Sequence, residues 1–398
     1  MTIHDITIRS IFDSRGEETI EITLVNGERV PFSAKIPSGK SKGTREVAVF
    51  TVLEAHASVE KIKSFLVGKS VSTIGALDAL LKQCDDTEKK EKCGGNVMLG
   101  ISVAGTRAIA FEQKKEVWEV IREEYFKDNA TEKIPLIFSN FINGGEHANN
   151  NLNIQEYLVV ARTTDNARAT VVRLIDMYRA MGELLKKQNN VISLPIGDEG
   201  GYSLNFSTNH EPLALLEAII DENDLENEFL LGLDCAASSF GAKGEYTFEK
   251  EKRTREEMRE IYTSYFSKTK LLLSIEDPYA EDDAEGFVAL RRQTGDKWIV
   301  GDDLTTSSAK EIEAHAGEGA INAVIIKPNQ IGLVSEACEA IRMAHAHNVK
   351  VIVSHRSGET EDAFIIHLAK ACGADGVKIG APVKERLIKF NEFIRLNS

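Results

Sequence analysis

A unit that repeats six times after Glu228 constrains the fold of this chain more than any other feature of its sequence. Each unit consists of a short apolar run, a polar or glycine-rich loop and an amphipathic helix. Uninterrupted apolar runs that alternate with helices are typical of a parallel sheet covered on both faces. The six runs are FLLGLDCA, KLLLSIEDP, WIVGDDL, AVIIKPN, KVIVSH and GVKIGAP, and their helices are expected to begin near Arg253, Asp283, Ser308, Leu333, Thr360 and Lys384.

Two further strand-like runs precede the repeats. IPLIFSNFI and NIQEYLVV bring the number of strands to eight, which predicts an α/β fold of the (β/α)8 barrel type over residues 134–398. The run VISLPIG is a ninth strand-like piece, one too many for a regular barrel. The pattern of apolar residues does not say where this ninth piece lies.

The first 128 residues have a different organisation, and a chain of 398 residues is long enough for two domains. Three strands are predicted first, and Pro31 should place the third at a sheet edge because proline has no N–H to donate. Helices follow, which is the order of an α+β domain. The polar segment 127–133 is the candidate linker. The expected strands are Ile3–Ile11, Thr19–Leu24 and Arg29–Ala34, and the expected helices are Glu46–Phe65, Ile74–Gln83 and Asn96–Phe126.

The overall charge narrows the possible partners and the expected location. Acidic residues outnumber basic ones by 62 to 48, a formal charge of −14, which argues against nucleic acid as a partner. No signal peptide and no apolar stretch of roughly 20 residues is evident, so no membrane partner is expected. The five cysteines are scattered without a CxxC pair, which favours a reducing cytoplasm over a disulfide framework or a zinc site.

All six repeated strands end in ionisable or polar residues. In a β/α barrel the loops after the carboxyl ends of the strands form the active-site face, so such residues are catalytic candidates. One ionisable strand end is unremarkable because it usually meets solvent or caps the next helix, but six in succession indicate a site. They are Asp234, Glu276-Asp277, Asp302-Asp303, Lys327, His355-Arg356-Ser357 and Lys378.

The order of acids and lysines suggests a type of chemistry. Three successive carboxylates, on Asp234, Glu276 and Asp302, need a cation to stay ionised together, and oxygen ligands without histidine favour Mg²⁺. A lysine near that cation and a second ammonium can act as a general base, which favours removal of a proton beside a carboxylate through a metal-held enediolate. The loop GDEGG places Glu199 between glycines, where it is either an acid for a leaving group or merely part of a tight turn.

Long motifs in this sequence resemble those of the enolase (phosphopyruvate hydratase) family, particularly its prokaryotic members. The most specific are NGGEHANNNLNIQEY (143–157) and SHRSGETED (354–362). A lysine base acting with one or two Mg²⁺ ions is already the described template of that superfamily. The other matching strings, in the family's order, are DSRG, PSG with the following serine and glycine, GDEGG, GLDCA, SIEDP, GDDL, KPNQIG and VKIGAP.

The resemblance implies reversible dehydration of 2-phosphoglycerate to phosphoenolpyruvate in glycolysis and gluconeogenesis. On it, Lys327 matches the base that takes the C2 proton, and Lys378 matches the lysine that faces the substrate carboxylate. Glu199 matches the acid that protonates the departing C3 hydroxyl, with Glu156 as its partner, and His355 is grouped with these catalytic residues. The family fold, ββαα(βα)6, also implies that VISLPIG lies between two helices and is not a barrel strand.

The resemblance further implies two Mg²⁺ ions and a set of pocket residues. Ser41 is the weakest of these assignments, because serine beside glycine is common in loops. Gln155 and Glu156 are neighbours in an alternating strand, so both can face the pocket only at a bulge or a strand end. His147 has a surface position as its alternative, and the remaining histidines are expected to be structural or exposed. The implied metal ligands are Asp234, Glu276, Asp302 and Ser41, and the implied substrate contacts are His147, Gln155, Glu156, Arg356, Ser357 and Lys378.

The sequence departs from the family pattern near the loop that carries Ser41. Lys40 and Lys42 stand where alanine and threonine are usual, and either tighten phosphate binding or point to solvent. DSRGEET replaces DSRGNPT near the family's subunit contact, where a homodimer is expected. Two other functions therefore stay open: a paralogue that acts on a different hydroxy-acid phosphate, and a non-catalytic binding protein. Substrate profiling tests the first. The second would be expected to lack a catalytic residue, and none is missing.

Overall fold

The computed structural model describes residues 1–40, 43, 45–127, 133–163 and 166–398. Ser41, Lys42 and most of the predicted linker therefore lie outside the described residues. Within them the chain forms a small antiparallel sheet with helices, and then a closed eight-stranded barrel. The predicted fold class is confirmed.

The amino-terminal sheet has the strand order β1-β2-β3, and Pro31 opens β3 at the edge, opposite Val25. All three predicted strands are confirmed to within a few residues. The helices α1 to α4 follow, and α3 packs against β2 and β3. The elements are Ile3–Phe12 (β1), Glu18–Asn26 (β2), Pro31–Lys35 (β3), Val52–Leu66 (α1), Ile74–Cys84 (α2), Gly95–Gln113 (α3) and Val117–Ile121 (α4).

Two of the predicted helix boundaries are wrong. The first helix begins at Val52, six residues later than predicted, because Thr51 and Glu54 form a reciprocal capping box there. The predicted helix Asn96–Phe126 is interrupted. Lys114 adopts a left-handed backbone conformation with φ of 55° and ends α3, and a second capping box at Glu116 starts α4. A π-helical turn then continues the chain from Arg122 to Phe126.

The barrel has the expected ββαα(βα)6 order, with its second strand antiparallel to both neighbours. VISLPIG contributes no barrel strand. It lies between α5 and α6, and only Ile196 in it forms an isolated bridge, to Tyr202. The barrel strands are Leu136–Asn143 (β4), Glu156–Ala161 (β5), Phe229–Asp234 (β6), Leu272–Glu276 (β10), Trp298–Gly301 (β11), Ala323–Ile326 (β12), Lys350–Ser354 (β13) and Gly376–Lys378 (β14). The helices after the second strand are Ala167–Asn189 (α5) and Glu211–Glu222 (α6).

A hairpin sheet that the sequence pattern did not predict precedes the next helix, which therefore begins at Arg255. The strands of this sheet are only two to four residues long, so the single alternating run Glu245–Phe248, which buries Tyr246 and Phe248, is a weak signal. It consists of Gly241–Ala242 (β7), Glu245–Phe248 (β8) and Glu251–Thr254 (β9). The remaining helices are Arg255–Lys268 (α7), Ala284–Arg291 (α8), Ala309–Gly317 (α9), Pro328–Ile331 (α10), Val334–Ala346 (α11), Phe364–Cys372 (α12) and Leu387–Leu396 (α13). No helix among these described residues is both long and apolar enough to cross a membrane.

Strand alternation explains how polar side chains reach the barrel mouth. Leu158, Val300 and Ile325 belong to the apolar cluster that fills the barrel interior. Residues two positions apart on a strand point to the same face. Glu156, Asp302 and Lys327 stand two residues from these apolar residues and therefore also face inward, one layer nearer the mouth. The apolar interior thus forms the floor of a polar cleft.

Candidate active site

The predicted site residues meet in one cleft at the carboxyl end of the barrel strands. Glu276 is not one of the lining residues, although it contacts Lys378, and Ser41 is outside the described residues. None of the seven histidines expected to be structural or exposed lines the cleft. The predicted residues that do so are His147, Gln155, Glu156, Glu199, Asp234, Asp302, Lys327, His355, Arg356, Ser357 and Lys378.

The Lys378 ammonium group is held by three carboxylates from neighbouring strands. Glu156, Asp234 and Glu276 stand side by side because β5, β6 and β10 are paired in register at these positions. Nζ of Lys378 lies 2.9 Å from Asp234 Oδ2, 2.9 Å from Glu276 Oε2 and 3.2 Å from Glu156 Oε1. Burial favours the neutral amine, but these three carboxylates outweigh it and hold the pKa of Lys378 well above its usual value. Lys378 is therefore a fixed cation in the cleft.

Lys327 lies at the amino end of α10 and pairs with Asp302 through Nζ and Oδ2. Its backbone N–H donates to Ser307 Oγ over 2.8 Å, and Gln330 links Ser307 to Asp302 through its side-chain amide. Burial lowers the pKa of Lys327, but the attraction of Asp302 dominates and raises it. The prediction that Lys327 is a general base applies to a site in which Asp302 holds a metal ion. The pairing of Lys327 with Asp302 does not test it, so it stays a prediction.

The cleft carries a large excess of negative charge, which is the physical condition for a cation site. Among the described residues, seven carboxyl groups and three basic side chains line it. Burial and repulsion by Asp234 raise the pKa of Glu276 well above its usual value, and burial and Asp302 raise the pKa of Asp303 to about 7. Buried oxygen ligands in excess suit a hard divalent cation such as Mg²⁺. The residues present fit that ion.

The carboxylates that converge most closely are not the predicted triad. Oxygens of Asp277, Asp302 and Asp303 lie within 4.8 Å of one another, as do ligand atoms of His147, Glu156 and Glu199. Asp277 already accepts the backbone N–H groups of Asp302 and Asp303 at 2.9 and 2.7 Å. Asp234 and Glu276 are instead drawn to Lys378, and Asp302 to Lys327. The assignment of the triad as metal ligands stays a prediction.

Glu199 and Glu156 form a buried acid pair on the opposite side of the cleft from Lys327. The GDEGG segment is a tight turn, closed by a hydrogen bond from the Gly197 N–H to the Gly201 carbonyl, and it also places Glu199 inside the cleft. His147 Nδ1 lies 3.5 Å from Glu199 Oε1 and 4.0 Å from Glu156 Oε1. Burial and repulsion by Glu199 raise the pKa of Glu156 well above its usual value. Burial also raises the pKa of Glu199, but His355 and His147 outweigh it and hold that pKa well below its usual value.

His147, Gln155 and Glu156 are all buried at the cleft wall. The surface position considered for His147 is thus wrong, because the turn Gly145–His147 directs the ring inward. Strand β5 begins only at Glu156, so Gln155 precedes it and need not follow its alternation. The strand end therefore allows both neighbours to line the cleft.

Arg356 lies beneath the loop that precedes the undescribed residues 41 and 42. Its guanidinium pairs with Glu46 over 3.0 and 3.2 Å and lies 3.3 Å from Asn329 Oδ1. Ser357 Oγ accepts the backbone N–H of Lys40 over 3.1 Å. The half-exposed Lys40 ammonium reaches the Glu146 carbonyl at 2.7 Å and Asp198 Oδ2 at 3.2 Å. Lys40 thus contacts the loops that carry His147 and Glu199.

Four site residues were missed by sequence reasoning: Glu46, Asn140, Gln330 and Arg386. Asn140 donates to Glu199 Oε2 over 3.1 Å, and Arg386 contacts His355. Glu46 lies outside the barrel segment, Asn140 within an apolar strand, and Arg386 just before the last helix. None of them stands at a strand end, which was the signal used to find the others.

Comparison with known proteins identifies the family. Residues 131–398 match the family described as "Enolase, C-terminal TIM barrel domain", and residues 3–121 match "Enolase, N-terminal domain". The enolases of Elusimicrobium minutum and Methanopyrus kandleri are each 35% identical to this chain, covering 99% of it and 95% of those proteins. The enolase of Nitratiruptor sp. is 34% identical, with 99% and 96% covered. The resemblance of the motifs is confirmed, and the chain belongs to the enolase family.

Proposed function

We propose that this protein catalyses the reversible dehydration of 2-phosphoglycerate to phosphoenolpyruvate. The observation that carries the proposal is that one buried cleft brings together Lys327, Lys378, the Glu156–Glu199 acid pair and Arg356, with Lys327 and Glu156 at the ends of strands that stand across the barrel from each other. Removal of a C2 proton requires a base, and departure of a C3 hydroxyl requires an acid. Arg356 offers planar paired donors suited to phosphate.

The roles follow from position and charge. Lys327 takes the C2 proton, and the fixed charge of Lys378 faces the carboxylate on which the enediolate charge develops. Glu199 protonates the departing hydroxyl, and Glu156 is its partner in holding that proton. The groups proposed to hold the phosphate and the leaving group are His147, Gln155, His355, Arg356 and Ser357.

Two magnesium ions per site belong to the proposal. Asp234, Glu276 and Asp302 would hold the first ion, and Ser41 would contribute to the second. When bound, the ions supply Lewis-acid stabilisation of the substrate carboxylate. Their charge would also offset the excess of carboxylates in the cleft.

Formation of phosphoenolpyruvate, followed by its ultraviolet absorbance with Mg²⁺ present, tests the function. We expect turnover, and a loss of about 1,000-fold or more in kcat for Lys327→Ala. The matched control is Lys350→Ala, because Lys350 lies at the opposite, amino end of a barrel strand. Absence of turnover in the wild-type protein, or equal activity of the Lys327→Ala variant, would refute the proposal. Turnover only of another hydroxy-acid phosphate would identify a paralogue.

We also propose that the chain acts as a homodimer in the cytoplasm, with residues 1–128 and 134–398 as its domains. Phe12 is 68% exposed beside the DSRGEET segment, and in the proposed dimer the partner subunit covers it. Sedimentation of the wild-type protein and of Phe12→Asp tests the dimer. A wild-type monomer would contradict it.

A further inference from the structure

Arg386 is a fully buried cation behind the cleft, immediately before α13. Its Nη1 lies 2.5 Å from His355 Nδ1 and donates to the Arg356 carbonyl over 3.1 Å. Its Nη2 donates to the carbonyls of Ser357 and Asp198 over 2.8 and 3.3 Å. Arg386 therefore contacts the loops on both sides of His355.

The chemistry of these groups determines where the His355 proton lies. A guanidinium can only donate, so His355 Nδ1 must accept, and a neutral ring then carries its hydrogen on Nε2. That nitrogen lies 3.5 Å from Glu199 Oε2. Hydrogen bonds between catalytic groups are often this long before substrate binds.

We propose that Arg386 is a positioning residue that fixes His355 as a neutral Nε2–H donor to Glu199. His355 then does not exchange a proton during the reaction, although the family resemblance implies a catalytic role for it. This inference rests on the proposed function, because it concerns the acid of that reaction.

The surroundings of Glu199 give this arrangement a consequence. Glu199 Oε2 accepts from Asn140 over 3.1 Å and lies 3.5 Å from His355 Nε2, so the proposed donation from His355 gives this oxygen a second donor. Oε1 lies 3.5 Å from His147 Nδ1 instead. A carboxyl protonates on the oxygen with fewer donors, so the reacting proton of Glu199 lies on Oε1. The donors on Oε2 stabilise the carboxylate left after the proton has been transferred.

Several charges act on His355 in its buried position. Burial is the largest influence on its pKa, and Arg386 acts in the same direction, whereas Glu199 and Glu359 oppose them. The net result is a pKa of about 4 for His355, so the ring is neutral over the range in which most enzymes work. Geometry and charge thus favour the same protonation state.

A direct test is nitrogen NMR of ¹⁵N-histidine-labelled protein, with the His355 signals assigned by their loss in His355→Gln. We expect a protonated Nε2 and an unprotonated Nδ1 that do not change from about pH 6 to about pH 8. A protonated Nδ1, or a ring that titrates within that range, would overturn the proposal. This readout does not depend on turnover, so failure of the proposed function remains distinguishable from failure of the inference.

A pair of variants at His355 tests the donor role in the reaction. Glutamine can donate to Glu199 through Nε2 and accept from Arg386 through Oε1, but it does not titrate. We expect His355→Gln to lower kcat by about tenfold or less, and His355→Leu by about 100-fold or more. Equal losses would show that an imidazole is needed and would overturn the proposal, as would full activity in the leucine variant.

Variants of Arg386 test its own part. In Arg386→Met, His355 Nδ1 loses the donor that makes it an acceptor, so the nitrogen signals of the ring should shift towards the form that is protonated on Nδ1. Arg386→Lys retains a donor, so the His355 ring should give the same nitrogen signals as in the wild-type protein. A methionine variant that folds and has an unaltered His355 spectrum would refute the role of Arg386. If neither Arg386 variant folds, the proposal is decided by the nitrogen NMR spectrum of the wild-type protein and by the kcat values of His355→Gln and His355→Leu.

Discussion

The carboxylate of Glu46 pairs with both terminal nitrogens of Arg356, with Oε2 3.0 Å from Nη1 and Oε1 3.2 Å from Nη2. Both side chains are almost completely buried. The amino-terminal segment thereby supplies an anion to the arginine that is proposed to hold the substrate phosphate. A bound phosphate has to share this guanidinium with Glu46.

The first prediction concerns the charge of Glu46. Glu46→Gln leaves part of the Arg356 charge unpaired, which should lower the free energy of unfolding of the ligand-free protein by about 2–3 kcal/mol. Inorganic phosphate should then raise Tm more in this variant than in the wild type, because it restores the missing negative charge. Thermal unfolding over a series of phosphate concentrations measures both effects. The control is Glu311→Gln, because Glu311 also pairs with an arginine, Arg45, but is more exposed than Glu46. Equal Tm and equal phosphate response would contradict this account.

The second prediction separates the proposed base from the proposed acid. Glu199→Gln should lower phosphoenolpyruvate formation by about 1,000-fold, because the leaving hydroxyl loses its proton donor. Exchange of the C2 hydrogen of 2-phosphoglycerate with deuterated solvent should continue, since Lys327 is intact. Proton NMR of the substrate measures exchange, and Lys327→Ala should abolish it. Loss of exchange in the Glu199 variant would show that the roles are assigned wrongly.

The third prediction concerns the pH dependence of stability. Arg107 on α3 pairs with Asp362, just before α12, over 2.7 and 2.9 Å. Burial alone would raise the pKa of Asp362, but Arg107 outweighs it and lowers the pKa to about 2. Because this folded-state pKa lies below that of an unfolded aspartate, the pair stabilises the fold above about pH 4 and loses its contribution between about pH 4 and about pH 2.

The measurement is urea unfolding of the wild type and of Asp362→Asn. Near neutral pH the variant should be less stable by about 2 kcal/mol, and the difference should shrink as the pH falls below about 4. A difference that stays constant through this range would mean that ionisation of Asp362 contributes nothing.

The fourth prediction concerns removal of metal. Lys378 and Lys327 already neutralise part of the carboxylate cluster, so chelation should abolish activity without unfolding the protein. Loss of a bound ion is expected to lower the free energy of unfolding by about 2–3 kcal/mol, a fall of several degrees in Tm. Circular dichroism and turnover measured on one sample, before and after addition of a chelator and then of Mg²⁺, check this. Unfolding at room temperature would contradict it.

Sequence reasoning found the site residues that stand at strand ends, because strand ends of a barrel share one rim. Asp302 and Lys327 could be recognised in this way from apolar periodicity alone. Glu46 and Arg386 could not, since they reach the cleft from segments far apart in sequence. The interruption of the helix at Lys114 has a similar cause: a left-handed lysine has no distinctive sequence signal, and tertiary packing selects it.

The last prediction tests how closely the loop before residue 41 lies against Arg356. Gly39 packs so tightly on the guanidinium that a Cβ at this position would overlap it. The loop is held there by paired backbone hydrogen bonds between Ser38 and Gly358 of 2.8 and 2.9 Å, so it cannot move away freely. In Gly39→Ala either Arg356 or the loop must shift, and both changes disturb the phosphate contact. We therefore expect KM for 2-phosphoglycerate to rise about tenfold or more, an effect of about 1.4 kcal/mol. Steady-state kinetics measures this, with Gly317→Ala as the control because a Cβ there meets open space. A KM equal to that of the control would show that the loop lies elsewhere when substrate binds.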